Sequence, residues 1–304
     1  MRSSLIIALI AASLAACHED GEDMTPAPDA AAPDAAAPDT IEPAVQPHHV
    51  AVARTLRFVR AEDGVSEGFD LDAHVSGRTD PIGCRVADFE APDGTPGIDN
   101  AFSQLLPLIE AGGGQALEGL VQSAVNEGDM LVVFELDGLD DLIDDDRLSL
   151  SVFRGTGDPF IGTDDRIEPW QTYDIDMAAP WSHDADARLT GGVIEAGPID
   201  FELPIFVFDF EFMITARDAR LRLELGPHGP VRGVLGGAIS IQNMLDIVEN
   251  IDGGQQLPGI IRTLGATYAD LDPDEAGNCQ SLSVAIAFDL TGAFFFEDTP
   301  RPDR

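Results

Sequence analysis

The chain contains no lysine: all 17 basic residues are arginines, set against 55 acidic residues, for a formal net charge of −38 over 304 residues. Recognition of phosphate backbones or anionic lipid headgroups needs positive charge. A field of this sign repels both, which removes nucleic acid and anionic headgroups from the list of partners. Three explanations for the acidity stay open on sequence alone: a solvated surface suited to a salty or extracytoplasmic medium, carboxylates that ligate divalent cations, and a basic or cationic partner. Catalytic signatures are missing as well. The sequence has no Gly-x-Ser-x-Gly elbow, His-Glu-x-x-His, phosphate-binding loop or dinucleotide fingerprint. His74, His183 and His228 stand apart from any obvious nucleophile. Carboxylate pairs of the glycosidase kind carry almost no information in so acidic a chain. A non-catalytic protein is the expected reading, with an extracytoplasmic hydrolase kept as the last alternative.

Leu5 to Ala16, preceded by Arg2, form an apolar segment too short to span a bilayer. The segment closes on Leu14-Ala15-Ala16-Cys17, with small residues just before the cysteine, and resembles the lipobox of bacterial lipoprotein precursors. That resemblance implies removal of residues 1–16, lipidation of Cys17, and attachment to a membrane through the N-terminal lipid. His18, where sorting to the inner membrane would place an aspartate, points to the outer membrane by enterobacterial habit. The globular part would then be periplasmic or extracellular. Together, lipobox, Pro-Asp-Ala tether and lysine-free acidic domain resemble acidic envelope lipoproteins of the myxobacterial type, a likeness that carries no activity or site residues.

With Cys17 lipidated, Cys84 and Cys279 remain in an oxidising compartment and are expected to pair; two buried thiols are the alternative. Residues 17–49 read as a disordered tether. The Pro-Asp-Ala-Ala-Ala unit at Pro28 recurs at Pro33 and begins again at Pro38, and such a composition cannot pack a core. A single globular domain is expected over 50–296, followed by a disordered tail at 297–304, the whole a monomer.

Residues 113–122 (GGQALEGLVQ) match 253–262 (GGQQLPGIIR) at five of ten positions, and weaker matches flank them in the same order. Phe134 to Gly138 corresponds to Phe288 to Gly292, and Ala53 to Phe58 to Ala219 to Leu223. This predicts two pseudo-repeats, about 53–154 and 188–292. Apolar residues at helical spacing on either side of each Gly-Gly predict a helix hairpin in each copy. Strand patterns surround the hairpins. In one of them Phe206, Phe208, Phe210 and Phe212 alternate onto one face, as sandwich core or as the lining for a greasy ligand. The expected fold class is α+β: mainly antiparallel β-sheet or sandwich with two helix hairpins, internally duplicated.

The densest carboxylate cluster runs from Asp70 and Asp72 through Asp80 and Asp88 to Asp99. It is loosely similar to Asp-rich calcium loops of the thrombospondin type 3 kind, departing from them where Ala73 replaces a glycine. A second run, Asp270, Asp272, Asp274 and Glu275, precedes Cys279. A Cys84–Cys279 bridge would bring the two acidic loops together, and only a cation or solvent could screen them. Calcium seeks six to eight oxygens from flexible loops. The expected ligand set is therefore Asp70, Asp72, Asp270, Asp272 and Asp274, with Ca2+ as the cofactor. A third run, Asp137 to Asp146, reads as an exposed hairpin loop. The function these features favour is a membrane-anchored, non-catalytic envelope lipoprotein with a binding or structural role, stabilised by calcium. A carrier of a hydrophobic or lipid ligand is the alternative, and an elongated apolar cavity would be its mark.

Overall fold

The computed structural model describes residues 48–80, 84–111, 117–207, 210–249 and 257–302. The segment read as a signal, Cys17, the expected tether as far as residue 47 and both Gly-Gly pairs lie outside these residues, as do the side chains of the aromatic run from Phe206 to Phe212.

Chain order and sheet order nearly coincide. β1 (His48–Phe58) pairs with β4 (Leu131–Asp137), and β4 with β5 (Asp145–Thr156). Then follow β7 (Ser182–Thr190), β8 (Val193–Val207), β9 (Phe210–Gly226), β10 (Gly229–Ser240) and β12 (Cys279–Phe295), each paired with the one before. β12 returns to β1, and every pairing is antiparallel. The described chain is thus mostly antiparallel strand, closed into an eight-strand up-and-down barrel. The expected sandwich is corrected on this point. Val50 to Val52 pair with β4 on one edge and with β12 on the other, so the sheet has no free edge there at which to split into two layers.

Alternation along the strands fills the barrel. Val132, Phe134 and Leu136 of β4 share a face with Leu150 and Val152 of β5, and Leu221 and Leu223 of β9 with Leu235 of β10. Phe134 and Phe288, which the sequence comparison aligns, stack with ring centroids 5.2 Å apart. Gly233 makes this possible, because a Cβ there would strike the Phe288 ring.

Four helices follow as two sequential pairs, α1 (Phe102–Ala111) then α2 (Leu117–Glu127), and α3 (Ile241–Glu249) then α4 (Leu257–Tyr268); α3 packs on α4 as the expected hairpin requires, whereas α1 packs on α4 and β12 and α2 on β1 and β8. Each pair connects two adjacent antiparallel strands, β1 to β4 and β10 to β12. The segment 219–223, matched to β1 by sequence, lies in β9 instead of β10, so the strand entering the second pair is not the one the repeat assigns.

A short strand, β6 (Gln171–Ile175), pairs with the end of β5 and, in parallel, with the end of β12. It closes a five-strand ring with β1, β4, β5 and β12 on their other face. Val52, Val133, Phe153 and Tyr173 fill this ring. Glu135 is fully buried beside them, paired with Arg301 at 3.1 Å, whose guanidinium also lies over the Phe295 ring. Thr299 is buried and donates to Asp174 at 2.8 Å. The segment read as tail, 297–304, is thereby tied to the barrel at these two residues.

Candidate cation site

Between β1 and α1, residues 59–80 and 84–101, which include the short strands β2 (Phe89–Glu90) and β3 (Pro96–Ile98), carry Val59 and Phe69 onto the outer face of β10 and β12. That face accepts them because its residues are small: Ser281, Ser283, Ala285 and Ala287 alternate with the inward Val284, Ile286 and Phe288. Phe69 packs with Val59, Val234, Ala285 and Ala287, over Gly236, where a Cβ would meet its ring. Asn100 is fully buried; it donates to Val59 O (3.2 Å) and Ser66 Oγ (2.9 Å) and accepts from Ala285 N (3.2 Å). Ser283 Oγ accepts from Ala101 N at 2.7 Å. These bonds fix the neighbouring Asp99 against the barrel, 2% exposed.

The covalent anchor is the Cys84–Cys279 disulfide, with Cα atoms 6.0 Å apart across a separation of 195 residues. The expected pairing is therefore present. It pins the loop to the strand short of its acidic centre, and β11 (Leu271–Pro273) pairs alongside on β12.

Three carboxylates converge in this loop. One ligand oxygen each from Asp70, Asp72 and Asp99 lies within 4.8 Å of the others. Asp99 Oδ2 accepts from Leu71 N at 2.6 Å, and Asp72 Oδ1 from His74 N at 2.9 Å. Asp70 Oδ1 is buried with no hydrogen-bond partner. Ala73, standing where a glycine was expected, adopts a left-handed φ of 57°, so the loop takes the glycine-like turn without the glycine. Gly97, at φ 90°, leaves space beside Asp70; a Cβ there would lie 3.5 Å from its Oδ2.

Burial sets the electrostatics. Asp99 is pushed up to about 8, mainly by desolvation, with the amide of Leu71 opposing and Asp270, Asp72 and Asp88 adding repulsion. Asp270 rises to about 7 and Asp88 to about 6 for the same leading reason. Asp72 is also raised, first by burial and then by Asp70. His74 is raised through its hydrogen bond to Asp80 (2.7 Å).

The expected ligand set is corrected in part. Asp70 and Asp72 come together as anticipated, and Asp99 completes the cluster where Asp270, Asp272 and Asp274 were expected. Asp270 is buried close enough to raise Asp99, but its two oxygens accept from the amide and hydroxyl of Ser283. Asp272, at a left-handed φ of 57° in β11, turns to other partners: it pairs with Arg217 (3.2 Å) and accepts from Ser281 Oγ (2.5 Å). Asp274 turns back on its own loop and accepts from Ala276 N and Asn278 N. Asp99 was visible in the acidic cluster, and the signal that singles it out is Asn100 beside it, an amide placed to tie the segment to β12.

Among the described residues no helix is long and apolar enough to cross a membrane. No protein-family model, curated protein or solved structure matches this chain.

Proposed function

We propose that this chain is a lipid-anchored, non-catalytic envelope protein whose barrel is stabilised by calcium held at Asp70, Asp72 and Asp99. Cys17 carries the lipid, residues 18–47 act as the tether, and the outer membrane is the favoured location. The observation that carries the calcium reading is the buried, unpartnered Asp70 oxygen within a cluster of three carboxylates. Three carboxylates supply up to six oxygens, and water completes the shell of a hard cation. The cation replaces the water that burial removes and offsets the repulsion among Asp70, Asp72, Asp88 and Asp99.

Two measurements test this reading. Equilibrium dialysis of the full chain carrying Cys17→Ser should find about one calcium per molecule, lost in Asp70→Asn. An unoccupied protein at millimolar calcium contradicts it. In cells, wild-type protein should sediment with membranes and Cys17→Ser should be released; equal membrane retention of both contradicts the anchor.

A further inference from the structure

The geometry points to a second site, independent of the cation cluster: an open aromatic platform around Trp170 that binds a quaternary ammonium group. Among the described residues, the exposed phenylalanine and tryptophan side chains are Phe160, Trp170, Phe294 and Phe296. All four lie in or beside the segments that meet where β6 pairs with β12. Phe294 alternates with Ala293 and Phe295, which turn inward, and so points outward. Trp170 immediately precedes β6 and its amide donates to Gly292 O at 2.7 Å. The indole rests on the strand at Gly292, where a Cβ would strike the ring. Phe294 flanks it with ring centroids 5.7 Å apart, and His228, from the turn between β9 and β10, stands at 75° to it with centroids 6.1 Å apart. Trp170 is still 50% exposed.

The fold holds this ring in water against its own preference. Trp170 adopts a left-handed φ of 66°, a strained conformation for a bulky side chain. The loop before it is tied down, with Arg54 bonded to Ile167 O (2.7 Å) and Asn126 to Asp165 O (3.1 Å). Charge then selects the occupant. Aromatic faces attract cations. Glu168, Glu297 and Asp298 adjoin these aromatics in sequence and are exposed, and the net charge of −38 draws cations while repelling anions. Arg54, Arg166 and Arg301, the arginines of these segments, are bonded to Asp164, Asp165 O and Glu135. A sugar would need partners for its hydroxyls, and the nearest side-chain amide, Gln171, is occupied: it accepts from Phe160 N and donates to Phe160 O and Glu168 O. A quaternary ammonium has no N–H to satisfy and is held by ring faces and negative field alone.

The test uses the full chain carrying Cys17→Ser, labelled with fluorotryptophan. Its two tryptophans, Trp170 and Trp181, are told apart with Trp181→Phe. Choline, titrated at constant ionic strength, should move the Trp170 fluorine resonance and leave that of Trp181 in place, with a dissociation constant of roughly 10 mM. Dimethylbutanol, the uncharged carbon isostere of choline, should bind about fivefold more weakly, and Phe294→Leu should weaken choline binding about threefold. A Trp170 resonance that choline leaves unmoved, or an isostere that binds as tightly as choline, overturns the proposal. So does glucose moving the resonance as far as choline, which would mark a sugar platform, or a response confined to phosphatidylcholine vesicles, which would mark a membrane surface. The comparison of choline with its isostere leaves the platform unaltered, so it decides the matter even if Phe294→Leu does not fold.

Discussion

In the loop joining β4 to β5, the carboxylates accept hydrogen bonds from nearby backbone. Asp141 takes the amides of Ile143 and Asp144, Asp145 those of Asp140 and Arg147, and Asp144 that of Gly191. Bonded amides, led by that of Asp140, hold Asp145 below the usual carboxylate range. Under the 59–101 loop the same residue type sits on the barrel wall, where burial drives Asp99 to about 8 and leaves one Asp70 oxygen without a partner. Six aspartates in ten residues at 137–146 build a solvated turn, whereas three drawn from thirty residues build a charged pocket. Burial, and not the density of acid in the sequence, separates a turn from a candidate cation site.

Removing the covalent pin should have the largest effect on this contrast. Cys84→Ser with Cys279→Ser should lower stability by roughly 2–5 kcal/mol, about 10 °C in melting temperature, and weaken the calcium response. A loss under about 2 °C would show that the loop holds its place without the bridge.

Next in size is Asp99→Asn, whose effect should change sign with the metal. With calcium at about 100 times its dissociation constant, the variant should forfeit about 2.7 kcal/mol of ligand stabilisation. In chelator at pH 9 it should melt above wild type, because it removes a charge that burial opposes. A variant equal to wild type under both conditions would place the cation elsewhere.

The pH dependence follows from the raised carboxyls. An unfolded aspartate has a pKa of about 3.9, so folded Asp99 retains a proton that the unfolded chain releases. Its contribution is complete below that value and is lost as pH rises through about 8. Asp270, near 7, and Asp88, near 6, act in the same direction. The metal-free melting temperature should therefore fall between pH 5 and pH 9, and calcium, by displacing the protons, should flatten that fall. A metal-free protein that gains stability over this range contradicts the assignment.

The smallest effect belongs to the solvated turn. Asp141→Asn keeps the side-chain acceptor and should shift stability by no more than about 0.5 kcal/mol, with the calcium response intact. A response lost in this variant would erase the distinction between the two regions.

Much of the framework was legible from local chemistry. The Cys84–Cys279 bridge followed from counting thiols, the four helices from apolar residues at helical spacing, and the loop character of 137–146 from its aspartates. Barrel closure was not legible, because it depends on β1 finding β12 across more than two hundred residues, a pairing that alternation does not encode. Asp70 and Asp72 were recognisable as an alternating pair, but Asp99 depends on the tertiary bonds of Asn100 to Val59 and Ala285. Asp270 followed the expected pattern yet serves Ser283, since a buried strand amide and hydroxyl beside it offer the nearer partners.

The most direct test heats the full chain carrying Cys17→Ser at pH 8, once in EDTA and once in millimolar calcium. At calcium about 100 times its dissociation constant, the account predicts a melting temperature higher by roughly 5–10 °C, with no such rise in Asp70→Asn. Identical melting in EDTA and calcium would contradict it.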